Sequence, residues 1–242
     1  HKYSVQQAQN AALGQAGSIL IDDDAQHTGP FVAITALEDA AVDESDCTDI
    51  ADTMTDAADF TIPKGATIYV DLGTAGQGDV FGAATIDHTI SLWIKSSDDA
   101  ASRYFSSVGS SNQPAASFEW YGSRLSNFFR DASGNVIMNE KNAGASGGNP
   151  HTGSWVHCVT VMKRGSTDTC QWYRNGSVSG AEVDISGYAG VDSAIVLTEN
   201  TYLGCSIDGG TIRSLYEGLM SDVAIWNVAL TTADVEAIYN SG

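Results

Sequence analysis

The sequence predicts an all-β protein in which two antiparallel sheets pack face to face as a jelly-roll sandwich, with one short helix near the C-terminus. Short apolar runs separated by Gly, Asn and Ser segments recur along most of the chain, whereas helical spacing is confined to its last residues. With 242 residues and 43% hydrophobic content, the chain is long enough for one large sandwich and a smaller module.

The N-terminal part predicts two units that precede the sandwich. Residues 1–16 are rich in Gln, Ala and Asn and have little to bury, which indicates an N-terminal arm, either extended or a weak helix, that docks on a partner. Residues 17–70 form a small β module, whose size makes it marginally stable by itself. Its strand-like runs are 18–21, 31–37, 60–62 and 66–70. Residues 71–242 then form the jelly roll.

The centre of the chain predicts regular strands of the sandwich. Apolar and polar residues alternate at 89–95, 155–161 and 170–174, and the last two form a hairpin. Asn175-Gly176 is a strong turn signal before the next strand. A further short strand is predicted at 201–204.

The C-terminal segment predicts a strand that runs into the helix. Residues 218–227 have the spacing of a half-buried strand. Thr231 or Thr232 can cap the following helix, because its hydroxyl can accept a hydrogen bond from the first turn. The apolar face of the helix comprises Val235, Ile238 and Tyr239. Since so short a helix is unstable alone, it must lie against a sheet.

The charge of the chain excludes one class of partner. The net charge is −19 with eleven Lys and Arg, so the chain has no basic patch for a nucleic acid backbone. No apolar run approaches the roughly 20 residues that span a bilayer, and we expect no membrane insertion. Residues 1–90 contain 15 of the 30 acidic residues and only two basic ones. This indicates either a solvated surface or divalent-cation binding.

The cysteines predict buried thiols and no metal centre. Cys47, Cys158, Cys170 and Cys205 form no C-x-x-C pair and have no His at a zinc spacing. Cys158 and Cys170 lie on consecutive strands, but a bridge between them requires a particular register. We expect reduced thiols that fill the core, as in proteins that fold in a reducing cytosol.

Five motifs occur in the order typical of one known fold family. They are 89–95, 155–157, 172–176, 202–204 and 218–239. With them, residues 68–242 resemble the concanavalin A-like, laminin G-type jelly roll. The resemblance implies architecture more than activity, because its members include glycan-binding lectins, adhesion modules, glycosidases and virion proteins.

The N-terminal part resembles a second family. Residues 17–23, 31–39 and 61–69 are similar to a small module of structural proteins in tailed bacteriophages. This resemblance implies a virion structural protein, such as a capsid decoration, knob or fibre component, assembled in the host cytoplasm and exposed on the virion surface. Its partners would be the major capsid or other virion proteins, sister copies in a homo-oligomer, with a trimer favoured, and a host-surface glycan. The alternative is a lectin or adhesion module that acts alone.

Hydrolysis is disfavoured by the sequence. The laminarinase-type signature of this fold, Glu-x-Asp-x-x-Glu, is matched by Glu182 and Asp184, but Gly187 occupies the third position. No Ser, His and Asp constellation is evident, and His157 is interpreted as a packing residue. We therefore expect a non-enzymatic protein, with a glycosidase as the less favoured alternative.

Two sets of residues are candidates for ligand binding. Trp120 and Tyr121 can stack on a sugar, although such aromatic residues are more often part of a core. Asp98, Asp99 and Asp208 can supply oxygen ligands to Ca²⁺ at a sheet rim, although turn carboxylates are the alternative reading. No other cofactor is predicted.

Overall fold

The computed structural model describes residues 19–20, 60–62, 70–73, 81, 86–98, 100–108, 115–142, 149–165 and 167–241. The predicted arm, the predicted strand at 31–37, Cys47 and Asp99 lie outside these residues.

Antiparallel strands dominate the described chain. In chain order they are β1 (Ile19–Leu20), β2 (Phe60–Ile62), β3 (Val70–Gly73), β4 (His88–Lys95), β5 (Ser102–Val108), β6 (Ala115–Trp120), β7 (Leu125–Arg130), β8 (Val136–Lys141), β9 (Val156–Lys163), β10 (Thr169–Arg174), β11 (Ser177–Val178), β12 (Val183–Asp184), β13 (Thr201–Leu203), β14 (Ser206–Asp208), β15 (Thr211–Arg213) and β16 (Gly218–Trp226). One helix, α1 (Thr232–Ser241), follows them.

Two large sheets form the two layers of the sandwich. The first sheet has the order β1-β16-β4-β9-β10-β11, with β2 also paired to β16 and β12 also paired to β10. The second sheet has the order β3-β13-β5-β6-β7-β8, and β14 and β15 form a separate hairpin. The predicted fold class, an all-β jelly-roll sandwich with one C-terminal helix, is confirmed.

The core lies between the two sheets. Every second residue of a strand points inward, so both sheets contribute apolar side chains to it. The largest of those that are fully buried are Trp172, Tyr104, Tyr216, Phe81, Phe105, Phe118 and Phe129. Burying each such side chain stabilises the fold by about 1.5–3 kcal/mol.

Helix α1 covers the other face of the first sheet. Its Val235 and Ile238 pack on Val159, Val161 and Trp226 in a second apolar cluster. The helix begins with reciprocal hydrogen bonds: the Thr231 N–H donates to Asp234 Oδ2 at 2.9 Å, and the Asp234 N–H donates to Thr231 Oγ1 at 3.2 Å. Of the two predicted caps, Thr231 therefore fills the role.

Further segments of the chain bond to β16 of the first sheet and to β8, the border strand of the second sheet. β16 bonds β4 on one side, while β1 pairs with Ala224 and Ile225 and β2 pairs with residues 218–220. At the edge of the second sheet, the Gly190 N–H donates to the Val136 carbonyl at 2.9 Å. Strands from the predicted N-terminal module thus belong to the sheet of the jelly roll, and the division at residue 70 stays a prediction.

The described cysteines are unbridged. Cys158, Cys170 and Cys205 are all buried. In the β9–β10 hairpin, Cys170 lies opposite Met162 and Cys158 opposite Arg174, so their register does not bring the two sulfurs together. Burial raises the pKa of the Cys158 and Cys170 thiols to about 12. The prediction of buried thiols is confirmed for these three residues. No helix of the described chain is long and apolar enough to cross a bilayer.

Candidate functional site

The second sheet has one face in the core and one face directed away from it. On β6, Ala116, Phe118 and Trp120 belong to the core, so Ser117 and Glu119 point to the opposite side. We call this opposite side the outer face. It is defined by the residues of β5 to β8 that alternate with the core residues.

A polar row crosses the outer face. Arg103 lies opposite Glu119, Glu119 opposite Ser126, and Ser126 opposite Lys141. We call these four residues the outer row. Arg103 Nε lies 2.7 Å from Glu119 Oε2, and both side chains are largely buried. The row therefore places a desolvated ion pair beside a lysine.

Glu119 depends on its cationic neighbours. Burial raises the pKa of its carboxyl group above the usual value, and the charges of Arg103 and Lys141 offset part of this rise. A buried carboxylate without such neighbours would be strongly disfavoured. Arg103 and Lys141 thus stabilise the ionised form of Glu119.

Tyr121 stands at the end of the outer row, in the turn after β6. Its side chain is 53% exposed, and Lys141 Nζ lies 4.4 Å from the centroid of its ring. The Tyr121 N–H donates to the Arg124 carbonyl at 2.9 Å and closes the turn. Gly122 has φ +60°, and a Cβ at this position would lie 3.0 Å from Lys141 Nζ. Glycine therefore leaves the space through which Lys141 reaches the ring.

Next to the outer row, Ser117 lies opposite Phe128, and Arg130 lies two residues further along β7, opposite Ala115. Arg130 Cζ lies 5.0 Å from the centroid of the Phe128 ring. Three polar atoms of the outer face, Ser117 Oγ, Arg103 Nη1 and Arg130 Nε, are buried and have no hydrogen-bond partner. Buried polar atoms are usually hydrogen-bonded in native structures, so these three retain an unused capacity for a hydrogen bond.

The structure separates the two predicted sugar-stacking residues. Trp120 is only 3% exposed and lies 5.5 Å from the His151 ring, between centroids. It thus has little surface to offer a ligand, whereas Tyr121 presents an open ring. A role for either residue in sugar binding stays a prediction.

The predicted calcium ligands lie in different surroundings. Asp98 Oδ1 accepts a hydrogen bond from the Ala100 N–H at 3.1 Å, as turn carboxylates do. Asp208 Oδ2 lies 3.7 Å from Arg213 Nε in the β14–β15 hairpin. Among the residues that the structure describes, no group of three His, Cys, Asp or Glu could hold a metal ion. Binding of Ca²⁺ through Asp98, Asp99 and Asp208 stays a prediction.

The carboxylates considered for hydrolysis lie in ordinary surface contacts. Glu182 Oε1 is 3.3 Å from Lys163 Nζ, and Asp184 Oδ1 accepts a hydrogen bond from the Ser186 N–H. In the outer row, Glu119 faces Arg103 and Ser126 and has no carboxylate opposite it. The outer row therefore lacks the paired acids of a glycosidase.

His157 is packed into the fold as predicted. Its Nε2 lies 2.8 Å from Ser91 Oγ, and its ring centroid lies 5.1 Å from that of Trp93. Burial lowers the pKa of His157 to about 3, so the ring is neutral at physiological pH. A neutral, enclosed imidazole between two strands supports a structural role.

The architecture and the outer face define a lectin-like β-sandwich. The chain belongs to the concanavalin A-like lectin/glucanases superfamily, whose laminin G-type family model matches residues 64–236. This match confirms the resemblance of the jelly-roll part. Comparison with curated proteins finds no match.

Solved structures share this fold at low sequence identity. The botulinum neurotoxin serotype D binding domain superposes with a TM-score of 0.55 and 13% identity, over 76% of this chain and 42% of that one. The CBM40 of Ruminococcus gnavus IT-sialidase, bound to α2,3-sialyllactose, superposes with a TM-score of 0.54 and 19% identity, over 76% of this chain and 96% of that one. A mutant of NanB sialidase from Streptococcus pneumoniae superposes with a TM-score of 0.56 and 16% identity, over 74% of this chain and 27% of that one. The chain spans less than half of the first and third of these structures.

Proposed function

We propose that this protein is a non-enzymatic carbohydrate-binding protein that holds a glycan on the outer face beside Tyr121. The observation that carries the proposal is the exposed Tyr121 ring, held by Lys141 at the end of the polar outer row. An aromatic face packs on the apolar face of a sugar ring, and charged groups beside it hydrogen-bond the hydroxyls.

Two further observations support binding in preference to catalysis. The outer row has a single carboxylate, Glu119, which is already paired with Arg103. The CBM40 of the IT-sialidase, which shares the fold over 96% of its own length, has α2,3-sialyllactose bound. The likeness supports the proposal at the level of the fold.

A glycan array probed with the full chain tests the proposal. Tyr121→Ala should abolish or strongly weaken every interaction that the native chain makes. Val178→Ala is the matched control, because Val178 is 51% exposed but lies on β11 of the other sheet. Absence of glycan binding by the native chain, or full binding by Tyr121→Ala, would overturn the proposal. Mass spectrometry of the bound glycan should show it unhydrolysed.

We further propose that the protein displays this jelly roll on the surface of a tailed-bacteriophage particle. The support is the similarity of residues 17–23, 31–39 and 61–69 to phage structural modules. The strongly acidic composition of residues 1–90 suits a crowded assembly, because net charge keeps neighbouring copies soluble. In this proposal the N-terminal part binds the capsid or sister copies, preferentially as a trimer.

Purified particles test the display proposal directly. Mass spectrometry of phage particles from the source strain should detect this chain in the virion, and cryo-EM should show its density on the surface. Particles that lack the chain would refute the proposal and favour a lectin that acts alone. Light scattering of the full chain, compared with a version lacking residues 1–16, tests the trimer. A monomer at micromolar concentration would refute self-association.

A further inference from the structure

The outer face is cationic in a strongly acidic protein. The four strands β5 to β8 contain three basic residues and two acidic residues, whereas the whole chain has a net charge of −19. The basic residues, Arg103, Arg130 and Lys141, all belong to the outer face by the alternation of their strands. Glu119 is the acidic residue on the same face of these strands.

Neighbouring carboxylates are engaged elsewhere. Glu140 precedes Lys141 on β8 and therefore points to the opposite face of the sheet. Its Oε1 accepts a hydrogen bond from the Tyr188 hydroxyl at 2.6 Å. Asp131 follows Arg130, but its Oδ1 accepts hydrogen bonds from the N–H groups of Ser133 and Asn135 in the next turn. The positive charge of Arg130 thus has no carboxylate opposite it within the sheet.

Two guanidinium groups on this face retain unused donors. Arg103 Nη1 and Arg130 Nε are buried and have no hydrogen-bond partner, although Arg103 Nε lies against Glu119. Leaving a buried charged donor unsatisfied is costly, and a hydrogen bond to an anion recovers more free energy than one to a neutral hydroxyl. A guanidinium also matches the planar, two-oxygen geometry of a carboxylate.

The acidic remainder of the chain does not cancel this local preference. At physiological ionic strength the Debye length is about 8 Å, so charges beyond that distance are largely screened for a ligand on the face. Groups within that distance decide the preference, and on these strands cations outnumber carboxylates. A neutral sugar would leave the excess positive charge of the face uncompensated.

We propose that the glycan held on the outer face is anionic, with a carboxylate or sulfate group that contacts Arg103 and Arg130 while a sugar ring packs on Tyr121. This inference rests on the proposed carbohydrate-binding function and names the class of its ligand. The carboxylate of a sialic or uronic acid and the sulfate of a sulfated sugar share the chemistry that the two guanidinium groups recognise.

Matched pairs of glycans on one array test the class of ligand. Each neutral glycan is printed beside the same glycan with a terminal sialic acid, a uronic acid or a sulfate, and the full chain is the probe. The acidic member should bind about tenfold tighter or more, as expected for a charge-assisted hydrogen bond. Comparison of the three acidic glycans identifies the anionic group that is recognised. Equal or tighter binding of the neutral members would overturn the inference and leave carbohydrate binding intact, whereas no binding at all would refute the proposed function.

Substitutions locate the preference on the outer face. Arg130→Gln should lower affinity for the acidic member about fivefold or more and lower affinity for the neutral member by a clearly smaller factor, because the charge contact is lost while the glutamine amide can still hydrogen-bond a hydroxyl. Arg213→Gln is the matched control, since Arg213 is exposed on the separate β14–β15 hairpin. Arg103→Lys, which keeps the charge beside Glu119, is the second variant and should also weaken the acidic preference. An unchanged preference in both variants, with unchanged thermal unfolding, would overturn the assignment.

Discussion

Asn127 joins the two sheets of the sandwich by accepting a hydrogen bond from Trp172. Asn127 Oδ1 on β7 lies 2.7 Å from Trp172 Nε1 on β10, and the same oxygen accepts a hydrogen bond from Thr160 Oγ1 at 2.9 Å. All three side chains are fully buried. Asn127 thus forms a polar bridge between the layers of the core, and this bridge helps to fix how the sheets face each other.

Asn127→Ala should lower the free energy of unfolding by about 2–4 kcal/mol, because it leaves the Trp172 indole N–H without an acceptor and removes one from Thr160. Urea denaturation followed by Trp fluorescence measures the effect. Asn139→Ala is the control, since Asn139 is exposed on the neighbouring strand β8, and should change stability by less than about 0.5 kcal/mol. Equal effects of the two variants would contradict the bridge.

Gly176→Ala should destabilise the β10–β11 hairpin by about 1–3 kcal/mol. Gly176 has φ +73°, and a Cβ there would lie 2.8 Å from Tyr239 Cδ1 of helix α1. Two control substitutions separate the backbone strain of a positive φ from the steric clash with Tyr239. Gly209 has φ +55° and open space, whereas Gly187 has neither constraint. The unfolding midpoint should fall most for Gly176→Ala, less for Gly209→Ala and hardly for Gly187→Ala; any other order would contradict the packing of Tyr239.

Stability should fall as the pH is lowered from about 6.5 towards 3. Burial lowers the pKa of His88 and of His157 from 6.5 to about 3, and Arg164 lowers that of His88 further. In this window the unfolded chain binds protons that the folded chain does not, so each histidine stabilises the fold fully above pH 6.5 and loses about 1.4 kcal/mol per pH unit below it.

His88→Leu tests the assignment, because the His88 ring is buried against the aromatic rings of Phe81 and Phe129. The slope of unfolding free energy between pH 6 and 4.5, measured by urea titration, should be smaller in this variant than in the native chain. A native chain that is equally stable at pH 7 and pH 4.5 would contradict the buried neutral state.

Trp172→Ala should cost about 3–5 kcal/mol, and Trp155→Ala clearly less. Trp172 is fully buried between the sheets, whereas Trp155 is half-buried just before β9, with Lys95 Nζ 6.0 Å from its ring centroid. Chemical denaturation of both variants gives the comparison. A loss for Trp155→Ala as large as that for Trp172→Ala would show that Trp155 is part of the core.

Removal of residues 1–66 should leave a folded sandwich that self-associates. The deletion removes β1 and β2, the strands that pair with the outer edge of β16, and an unpaired edge is a template for pairing with another copy. Light scattering over a range of concentrations should show that the truncated chain forms oligomers through the uncovered edge of β16. In the full chain β1 and β2 occupy this edge, so it does not associate there. A truncated chain that stays monomeric and as stable as the full chain would contradict this role of β1 and β2.

The first sheet could be predicted from sequence because its strands are long and apolar. β4, β9, β10 and β16 were each indicated by alternation, to within two residues of their ends. The strands β5 to β8 were not predicted. β5 buries Ser106 and Ser107 as interior residues, and their hydroxyls donate to the carbonyls of Cys205 and Glu199. Partners about 90 residues away in sequence make serine acceptable there, and local pattern cannot reveal them.

The candidate site likewise has one part that the local sequence indicates and one part that depends on contacts distant in sequence. Trp120 and Tyr121 are candidates from their residue type alone, and only the structure shows that Trp120 is buried while Tyr121 is exposed. The outer row was missed, since Arg103 and Glu119 become neighbours only through the register of β5 against β6. Once β6 is known to be a strand, the alternation of Ala116, Phe118 and Trp120 assigns Glu119 to the other face.

β1 and β2 pair with the same edge of β16, so one strand carries two separate segments of the N-terminal part. Leu20 of β1 lies opposite Ala224 and Phe60 of β2 lies opposite Met220, so the two segments are about 13 Å apart at strand spacing. Because the entropy of closing a loop grows only slowly with its length, the number of residues between β1 and β2 can change at little cost to these pairings. The edge of β16 is therefore a place where the chain can gain or lose sequence and keep its sandwich.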